Sequence, residues 1–142
     1  MVELGRRYGT GPASLADIAA EEELPRPYLE QLAMALRDAE LVVSTRGARG
    51  GYELARAPEA IPMADVLRAL EGPLAPMICA SEDAEHVPGC DRTSRCTVNL
   101  LWLRIRDAIA DSLESITLAD LVPQRAIAIE ALGSRSREAV TA

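Results

Sequence analysis

The chain has 142 residues, 49% of them hydrophobic, and a formal net charge of −7. This length fits one compact domain, whose core must be built from Leu, Ile, Val and Ala because there is no Phe and only one Trp. No apolar run approaches the length that crosses a membrane, and the N-terminus lacks a signal-peptide pattern, so we expect a cytoplasmic location. The acidic balance argues against a protein that coats nucleic acid without specificity. There is no lysine, which rules out Schiff-base chemistry and a phosphate-loop lysine, so every cationic side chain at neutral pH is an arginine.

Two short helices are predicted near the N-terminus. Ser14 begins the first with a capping-box-like pattern, in which Asp17 replaces the usual Glu or Gln. Pro27 suits the first turn of the second helix. The apolar positions of the second helix recur with the helical period, at Leu29, Leu32, Ala33 and Leu36. Its opposite face is polar and carries Arg26, Glu30, Gln31, Arg37 and Asp38.

A glycine-rich basic hairpin is predicted directly after the second helix. Two short apolar runs, 41–43 and 52–54, flank the sequence Arg-Gly-Ala-Arg-Gly-Gly at 46–51. The glycines allow positive φ and close backbone approach, and arginine donates well to phosphates and guanine edges. An ordinary solvated hairpin has the same turn pattern. The two preceding helices favour a winged helix-turn-helix, in which the second helix enters the major groove of DNA.

The candidate DNA contacts lie on the second helix and on the hairpin. Arg46 is expected to enter the minor groove or to bind a phosphate, with Arg49 supporting it. Base edges are read by the exposed N-terminal part of the second helix, where Gln31 can pair with adenine and Glu30 can accept from cytosine N4. The predicted set is Ser14, Arg26, Tyr28, Glu30, Gln31, Arg46, Gly47 and Arg49.

Three cysteines lie in a loop rich in Pro, Gly and Asp. Ten residues separate Cys79 from Cys90, and five separate Cys90 from Cys96. The odd count argues against a disulfide framework, whereas thiolates are soft ligands for iron–sulfur clusters or zinc. The close Cys-x-x-Cys pairs that are typical of structural zinc sites are absent from the sequence. The pattern alone leaves a cluster, a zinc ion and no metal open.

A long helix is predicted from Thr97 to Leu118. Because a winged helix of this size covers its own core by about residue 72, we expect a dimerisation helix rather than one packed on its own domain. A two-fold dimer places two recognition helices one DNA turn apart on a palindromic operator. The mostly apolar stripe comprises Val98, Leu101, Trp102, Ile105, Ala108, Ile109, Ser112 and Ile116. The residues expected to face outward are Arg104, Arg106, Asp107, Asp111 and Glu114.

Together these segments resemble the Rrf-two family of bacterial transcriptional regulators, of the IscR/NsrR/CymR type. The resemblance is carried by residues 14–19, by Tyr-Leu-Glu-Gln-Leu at 28–32, by 46–55 and by 66–72, and it covers roughly the whole chain. It implies a mainly α fold with a small β-wing, a homodimer, and double-stranded DNA as the partner. It also implies a [2Fe-2S] or [4Fe-4S] cluster held by Cys79, Cys90 and Cys96.

The fourth cluster ligand departs from the family pattern. One branch has a His three residues after the third cysteine, where this chain has Asn99. Another branch has an acidic residue near the start of the first helix, but the family's usual opening residues are missing here. The native protein therefore starts upstream, or its first helix is truncated. The sequence leaves the fourth ligand unassigned. His86 is a weak candidate, because a lone histidine in a loop is more often solvated, and Glu82, Asp83 and Asp91 are weaker oxygen candidates.

The predicted organisation follows from these segments. Residues 1–72 form the winged helix-turn-helix, 73–96 the cysteine loop, 97–121 the dimerisation helix, and 122–142 a C-terminal helix with a disordered tail. The predicted function is that of a sequence-specific DNA-binding transcriptional regulator, a repressor, whose DNA affinity the cluster controls. The chain has a single His and no Gly-x-Ser-x-Gly motif or dinucleotide fingerprint, so no enzyme activity is expected. The alternatives are a cluster-free regulator sensing a metabolite or partner protein, and a redox or metal-carrier module without specific DNA binding.

Overall fold

The computed structural model describes residues 1–47, 49–83, 92 and 95–122. The described chain is mainly helical, with one antiparallel two-stranded sheet. Short 3-10 helices occur at Pro58–Ala60 and Ile78–Ala80. The principal elements are α1 Val2–Arg6, α2 Leu15–Glu21, α3 Arg26–Asp38, β1 Val42–Thr45, β2 Gly51–Leu54, α4 Met63–Glu71, α5 Thr97–Ser115 and α6 Leu118–Leu121. The predicted fold class, mainly α with a small β-wing and a long helix, is confirmed.

The first two predicted helices form where the sequence places them. Ser14 caps α2, and its side chain accepts a hydrogen bond from the backbone N–H of Ala16 at 3.1 Å. Pro27 lies in the first turn of α3. Ala33 and Leu36 bury the apolar face of α3, so the polar face that carries the candidate DNA contacts is left on the surface.

The core lies where α1, α2, α3, the sheet and α4 converge. Leu41 and Ile61 have no exposed surface, and Val42 is 2% exposed. Leu118 of α6 is also fully buried, in the same cluster as Leu4 of α1. Burial of such an aliphatic side chain contributes roughly 1.5–3 kcal/mol relative to leaving it exposed. The unit formed by α1–α4 and the sheet, called the head below, is therefore completed by a segment that follows the long helix.

The expectation of one helix reaching Leu118 is wrong at its C-terminal end. Helix α5 ends at Ser115, and Ile116 is extended, with φ −103° and ψ 126°. The backbone here pairs with the head: the N–H of Met63 donates to the carbonyl of Ile116, and the N–H of Leu118 donates to that of Ile61, both at 2.8 Å. A new helix then begins because Thr117 and Asp120 form a capping box.

Helix α5 presents two different faces. One side packs on the head and the 3-10 helix at 78–80, where Asn99 is buried. Arg106, which was expected to face outward, is mostly covered, and its guanidinium lies 3.5 Å from the carbonyl oxygen of Ser81. The predicted apolar stripe is covered only in part. Three of its members are half-buried, namely Trp102, Ile105 and Ile116, and the other five are exposed: Val98, Leu101, Ala108, Ile109 and Ser112.

The remaining predictions concern the C-terminus and the membrane. Apart from Val122, the expected C-terminal helix and disordered tail at 122–142 lie outside the described residues. Among the helices that are described, none is long and apolar enough to cross a membrane.

Candidate nucleic-acid interface

The wing is attached to the head at its base by burial and by backbone pairing. Val42 pairs with Leu54 in the register of the two strands, and both side chains are buried. Tyr52 of β2 also pairs with Ala13, which precedes α2, through reciprocal backbone hydrogen bonds of 2.8 and 2.9 Å. The wing and the start of α2 are thus held as one unit, which fixes the direction of the hairpin relative to the helix pair.

Two glycines in the wing meet conformational needs that other residues satisfy poorly. Gly47 has a φ of +121°, a backbone conformation that L-amino acids rarely adopt. A Cβ at Gly51 would collide with the backbone carbonyl oxygen of Ala13, so only glycine permits this close approach. The glycine-rich pattern in the sequence therefore reports real backbone constraints at the turn and at the base of the wing.

A shallow open groove lies between α3 and the wing. It gathers four of the eight predicted contact residues, Ser14, Arg26, Glu30 and Arg46. Other members of its lining come from successive turns of α3 and from β1, namely Met34, Arg37, Ser44 and Thr45. Helical periodicity explains the grouping, because positions 26, 30, 34 and 37 repeat at intervals of three and four residues on one face of α3.

The groove is cationic, with one charged pair inside it. Nε of Arg26 donates to a carboxylate oxygen of Glu30 at 2.9 Å. Glu30 is the only acidic side chain among the described residues of the groove lining, and it thus has a positive partner. Arg37 donates to the neighbouring Asp38 at 3.1 Å. Within the described part of the chain, Arg46 has no ion-pair partner, so its guanidinium is free to bind an anion.

The other four predicted contacts lie outside the groove lining. Tyr28 and Gln31 are exposed on other faces of α3, with Tyr28 49% exposed. Gly47 and Arg49 lie at the tip of the wing, where both are exposed. The structure thus divides the predicted set into a groove group, two side chains on the outer surface of α3, and the wing tip.

The cysteine region is described in part. Cys79 is half-buried and Cys96 is exposed at the N-cap of α5, and both thiols are free. Asn99 connects the two backbones: its side chain donates to the carbonyl of Cys79 at 2.9 Å, and its N–H donates to the carbonyl of Cys96 at 3.2 Å. Cys90 lies outside the described residues, as do His86 and Asp91.

Soft thiolate donors fit an iron–sulfur cluster, and the backbones of two of them are held to one residue. Among the described residues, no group of three or more potential metal ligands comes together.

Comparison with known proteins identifies the family. Residues 1–124 match the sequence profile of the Rrf2 (Rrf-two) family, described as iron-dependent transcriptional regulators. The chain belongs to this family. It is 46% identical over 121 residues to the HTH-type transcriptional regulator CymR of Bacillus subtilis, covering 85% of this chain and 80% of that protein. It is 35% identical over 138 residues to IscR of Erwinia tasmaniensis, covering 97% and 81%.

A solved structure agrees with the sequence comparison. CymR of B. subtilis, named the global cysteine regulator of that organism, matches with a TM-score of 0.65 at 44% identity, over 85% of each chain. The relatives are named as transcriptional regulators and not as enzymes. This chain is accordingly a DNA-binding transcriptional regulator of the Rrf2 family.

The groove lining includes residues that the sequence analysis did not name as candidate contacts. Arg37 was placed on the polar face of the second helix but was not named as a contact, and Met34, Ser44 and Thr45 were not considered. A signal was available for Arg37, since it lies eleven residues after Arg26, or about three helical turns, on the same face. Ser44 and Thr45 could not be found in this way, because their position depends on the tertiary placement of β1 against α3.

Proposed function

We propose that this regulator reads a specific operator through the groove between α3 and the wing. The observation that carries the proposal is that Arg26, Arg37 and Arg46 converge there from two separate elements. The groove group would contact phosphates and major-groove edges, the outer α3 residues Tyr28 and Gln31 would add base contacts, and the wing tip with Gly47 and Arg49 would reach the minor groove. Double-stranded DNA as the partner also implies a cytoplasmic location.

Charge reversal at the wing tests this interface. Arg46→Glu places a carboxylate where DNA phosphate is expected, so specific operator binding should fall by at least tenfold and the salt dependence should become shallower. The matched control is Arg104→Glu, which reverses an exposed charge on α5 outside the groove. Operator binding would be measured by fluorescence anisotropy at several salt concentrations. An Arg46 variant with the affinity and salt slope of the wild type would show that the wing does not contact DNA.

We infer that the active form is a homodimer formed through the exposed stripe of α5. Val98 is 50%, Leu101 54% and Ile109 40% exposed, so the described part of the chain leaves these side chains of the helix uncovered. A second copy of the same face would bury it in an isologous interface, and the two-fold symmetry would match a palindromic operator.

The oligomeric state of α5 variants tests whether the stripe is the dimer interface. Ile109→Glu should shift the protein to monomers in sedimentation velocity, because a carboxylate would be buried in the interface. Asp111→Arg changes an exposed residue on a polar face of the same helix and should leave the dimer intact. A dimeric Ile109→Glu variant would place the interface elsewhere.

We further propose that an iron–sulfur cluster on Cys79, Cys90 and Cys96 controls the DNA affinity of this repressor. Support comes from the soft donor set, from the anchoring of Cys79 and Cys96 by Asn99, and from the description of the family as iron-dependent. A bound cluster would supply a redox- and iron-sensitive crosslink between the loop and α5.

The cluster proposal is tested by spectroscopy combined with DNA binding. Protein purified without oxygen should show visible absorbance, and replacing all three cysteines with Ala should remove it and change operator affinity. The control substitution Asp111→Ala, at an exposed position of α5 outside the stripe, should do neither. A triple variant that binds the operator as the cluster-loaded protein does would show that the cysteines are not the regulatory input.

A second regulatory function is favoured by one specific observation. The relative with 46% identity is CymR, whose solved structure is named as that of a global cysteine regulator. A regulator of this kind would bind its operator specifically while the purified protein is colourless, with a metabolite or partner protein as the signal. The same spectrum and binding assay therefore separate the two functions.

A further inference from the structure

Arg68 of α4 makes contacts that join three parts of the molecule. Its Nε and one Nη donate to the two carboxylate oxygens of Glu82, at 3.0 and 2.7 Å, in a bidentate pair. The same Nη donates to Glu114 near the C-terminal end of α5, at 3.1 Å. One guanidinium thus connects the DNA-binding head, the start of the cysteine loop and the dimerisation helix.

The segment 74–82, which contains Cys79, is closed into a small loop by the same carboxylate. Glu82 accepts a hydrogen bond from the N–H of Leu74 at 3.0 Å, and the N–H of Glu82 donates to the carbonyl of Leu74 at 3.2 Å. On its other side the loop is tied to α5, because Asn99 donates to the carbonyl of Cys79. Glu82 follows Cys79 by three residues in this hydrogen-bonded loop. A displacement of Cys79 would therefore also move Glu82.

The ion pair stays fully charged at neutral pH. The hydrogen bonds from Arg68 lower the pKa of Glu82 below its ordinary value, and they raise the pKa of the Arg68 guanidinium. Both side chains are partly covered, at 25% and 33% exposure, so solvent screens the pair less than it screens an open surface pair. The contact is thus suited to a mechanical link between the loop and the helices.

The link ends where the head and α5 meet. Beyond Glu114, the carbonyl of Ile116 accepts from the N–H of Met63, and the N–H of Leu118 donates to the carbonyl of Ile61. Met63 begins the helix that carries Arg68. A shift of Arg68 relative to Glu114 would therefore strain these two backbone hydrogen bonds. The angle between head and α5 determines the half-site spacing that a dimer presents to DNA.

We propose that Arg68 is the positioning residue that transmits the state of the Cys79 loop to the angle between the DNA-binding head and α5. The inference rests on the proposed regulatory function of the cysteines, and it concerns how a change at the thiols reaches the head, whichever chemical signal causes it. Such a link has two states with different head placement, and a thiol ligand shifts their balance only through its different affinity for them.

Alkylation of the cysteines with iodoacetamide provides a defined change of loop state. In the wild type it should alter operator affinity by about fivefold or more, in the range of ordinary allosteric coupling. In Arg68→Gln the ratio of affinities between alkylated and unmodified protein should fall to within about a factor of two of unity. Glu82→Gln weakens only the contact between Arg68 and the cysteine loop, and it should bring the ratio equally close to unity. Arg68→Lys keeps the charge without the bidentate geometry and should restore part of the ratio.

The matched control is an arginine of the head that lies away from α4. Arg7, which follows α1, pairs with Glu21 of α2, so this ion pair stays within the head. Arg7→Gln should change operator affinity equally in the alkylated and unmodified states and preserve the ratio. A role of Arg68 in stability alone would likewise preserve the ratio while lowering the unfolding midpoint. An Arg68→Gln ratio equal to that of the wild type, or a wild-type ratio near unity, overturns the proposal.

A second readout does not depend on DNA. Amide hydrogen exchange of Met63 and Leu118 reports the backbone bonds at the junction. Alkylation should change their protection in the wild type and leave it unchanged in Arg68→Gln. If neither the wild type nor the variants bind an operator, alkylated or unmodified, the proposed function fails. The hydrogen-exchange measurement still decides the role of Arg68 in that case. If alkylation changes hydrogen exchange equally in the wild type and in Arg68→Gln, the proposed role of Arg68 is overturned.

Discussion

Leu118 offers the sharpest test of how the head is completed. Its side chain is fully buried, and two of its carbon atoms come within 3.8 Å of the position that a Cβ on Gly5 would occupy. Leu118→Ala would leave a cavity between α6 and α1, and such changes cost roughly 2–5 kcal/mol of unfolding free energy. Against a total stability of about 5–15 kcal/mol for a typical domain, this is a large loss. The urea midpoint should fall by on the order of 1–2 M.

The control for this substitution lies three residues further on. Leu121 belongs to the same short helix but is 44% exposed, so Leu121→Ala should cost about 1 kcal/mol or less. Both variants would be unfolded in urea at one fixed protomer concentration, with circular dichroism as the signal, because the proposed dimerisation would contribute to apparent stability. If the two substitutions lower the unfolding free energy equally, α6 does not belong to the core of the head.

Two further substitutions address the DNA interface. Gly51→Ala brings a Cβ against the backbone oxygen of Ala13, so the wing should be displaced. Operator affinity should then fall at least tenfold while helix content is retained. Anisotropy titrations equal to those of the wild type would contradict this. Glu30→Ala releases Arg26 from its 2.9 Å ion pair, so specificity should relax and non-specific binding should strengthen, as the ratio of operator to random-DNA affinity would show. Uniform weakening on all sequences, with the ratio preserved, would exclude a readout role for Glu30.

Local patterns in the sequence were sufficient for the wing and for the helix pair. The cap at Ser14, the proline in the first turn of α3 and the glycines of the hairpin each act within a few residues of their position. Their effect on the backbone is therefore independent of the remainder of the fold. The apolar period of α3 likewise identified Ala33 and Leu36 as core residues.

The C-terminal part of the long helix was mispredicted although a local signal was present. Thr117 and Asp120 repeat the spacing of Ser14 and Asp17, and they form a capping box that starts α6. The apolar stripe of α5 continued in register to Ile116 and so concealed the break. The burial of Leu118 in the head had no comparable signal, since it depends on contacts between residues far apart in the sequence.

The candidate sites likewise combine residues that local sequence patterns reveal with contacts that depend on the tertiary fold. Sequence reasoning identified Arg26 and Arg46, but their convergence in one groove depends on how β1 packs against α3. The ion pairs of Arg68 lie beyond sequence reasoning for the same reason, because their partners are 14 and 46 residues away. Arg106 was assigned to the outer face of α5 by its charge, whereas the structure places it beside the loop that contains Ser81.

The return of the chain at residues 116–118 has a consequence for the order of events during synthesis. The head cannot close its core until α6 has left the ribosome, and by then all of α5 has been made. The long sequence separation between Leu4 and Leu118 also makes this closing contact a late and slow step of folding. We therefore expect nascent chains that end before residue 118 to expose Ile61 and Leu41, and to become resistant to protease only once α6 is available. Production of the head proposed to read DNA is in this way tied to production of the helix proposed to pair it with a second copy.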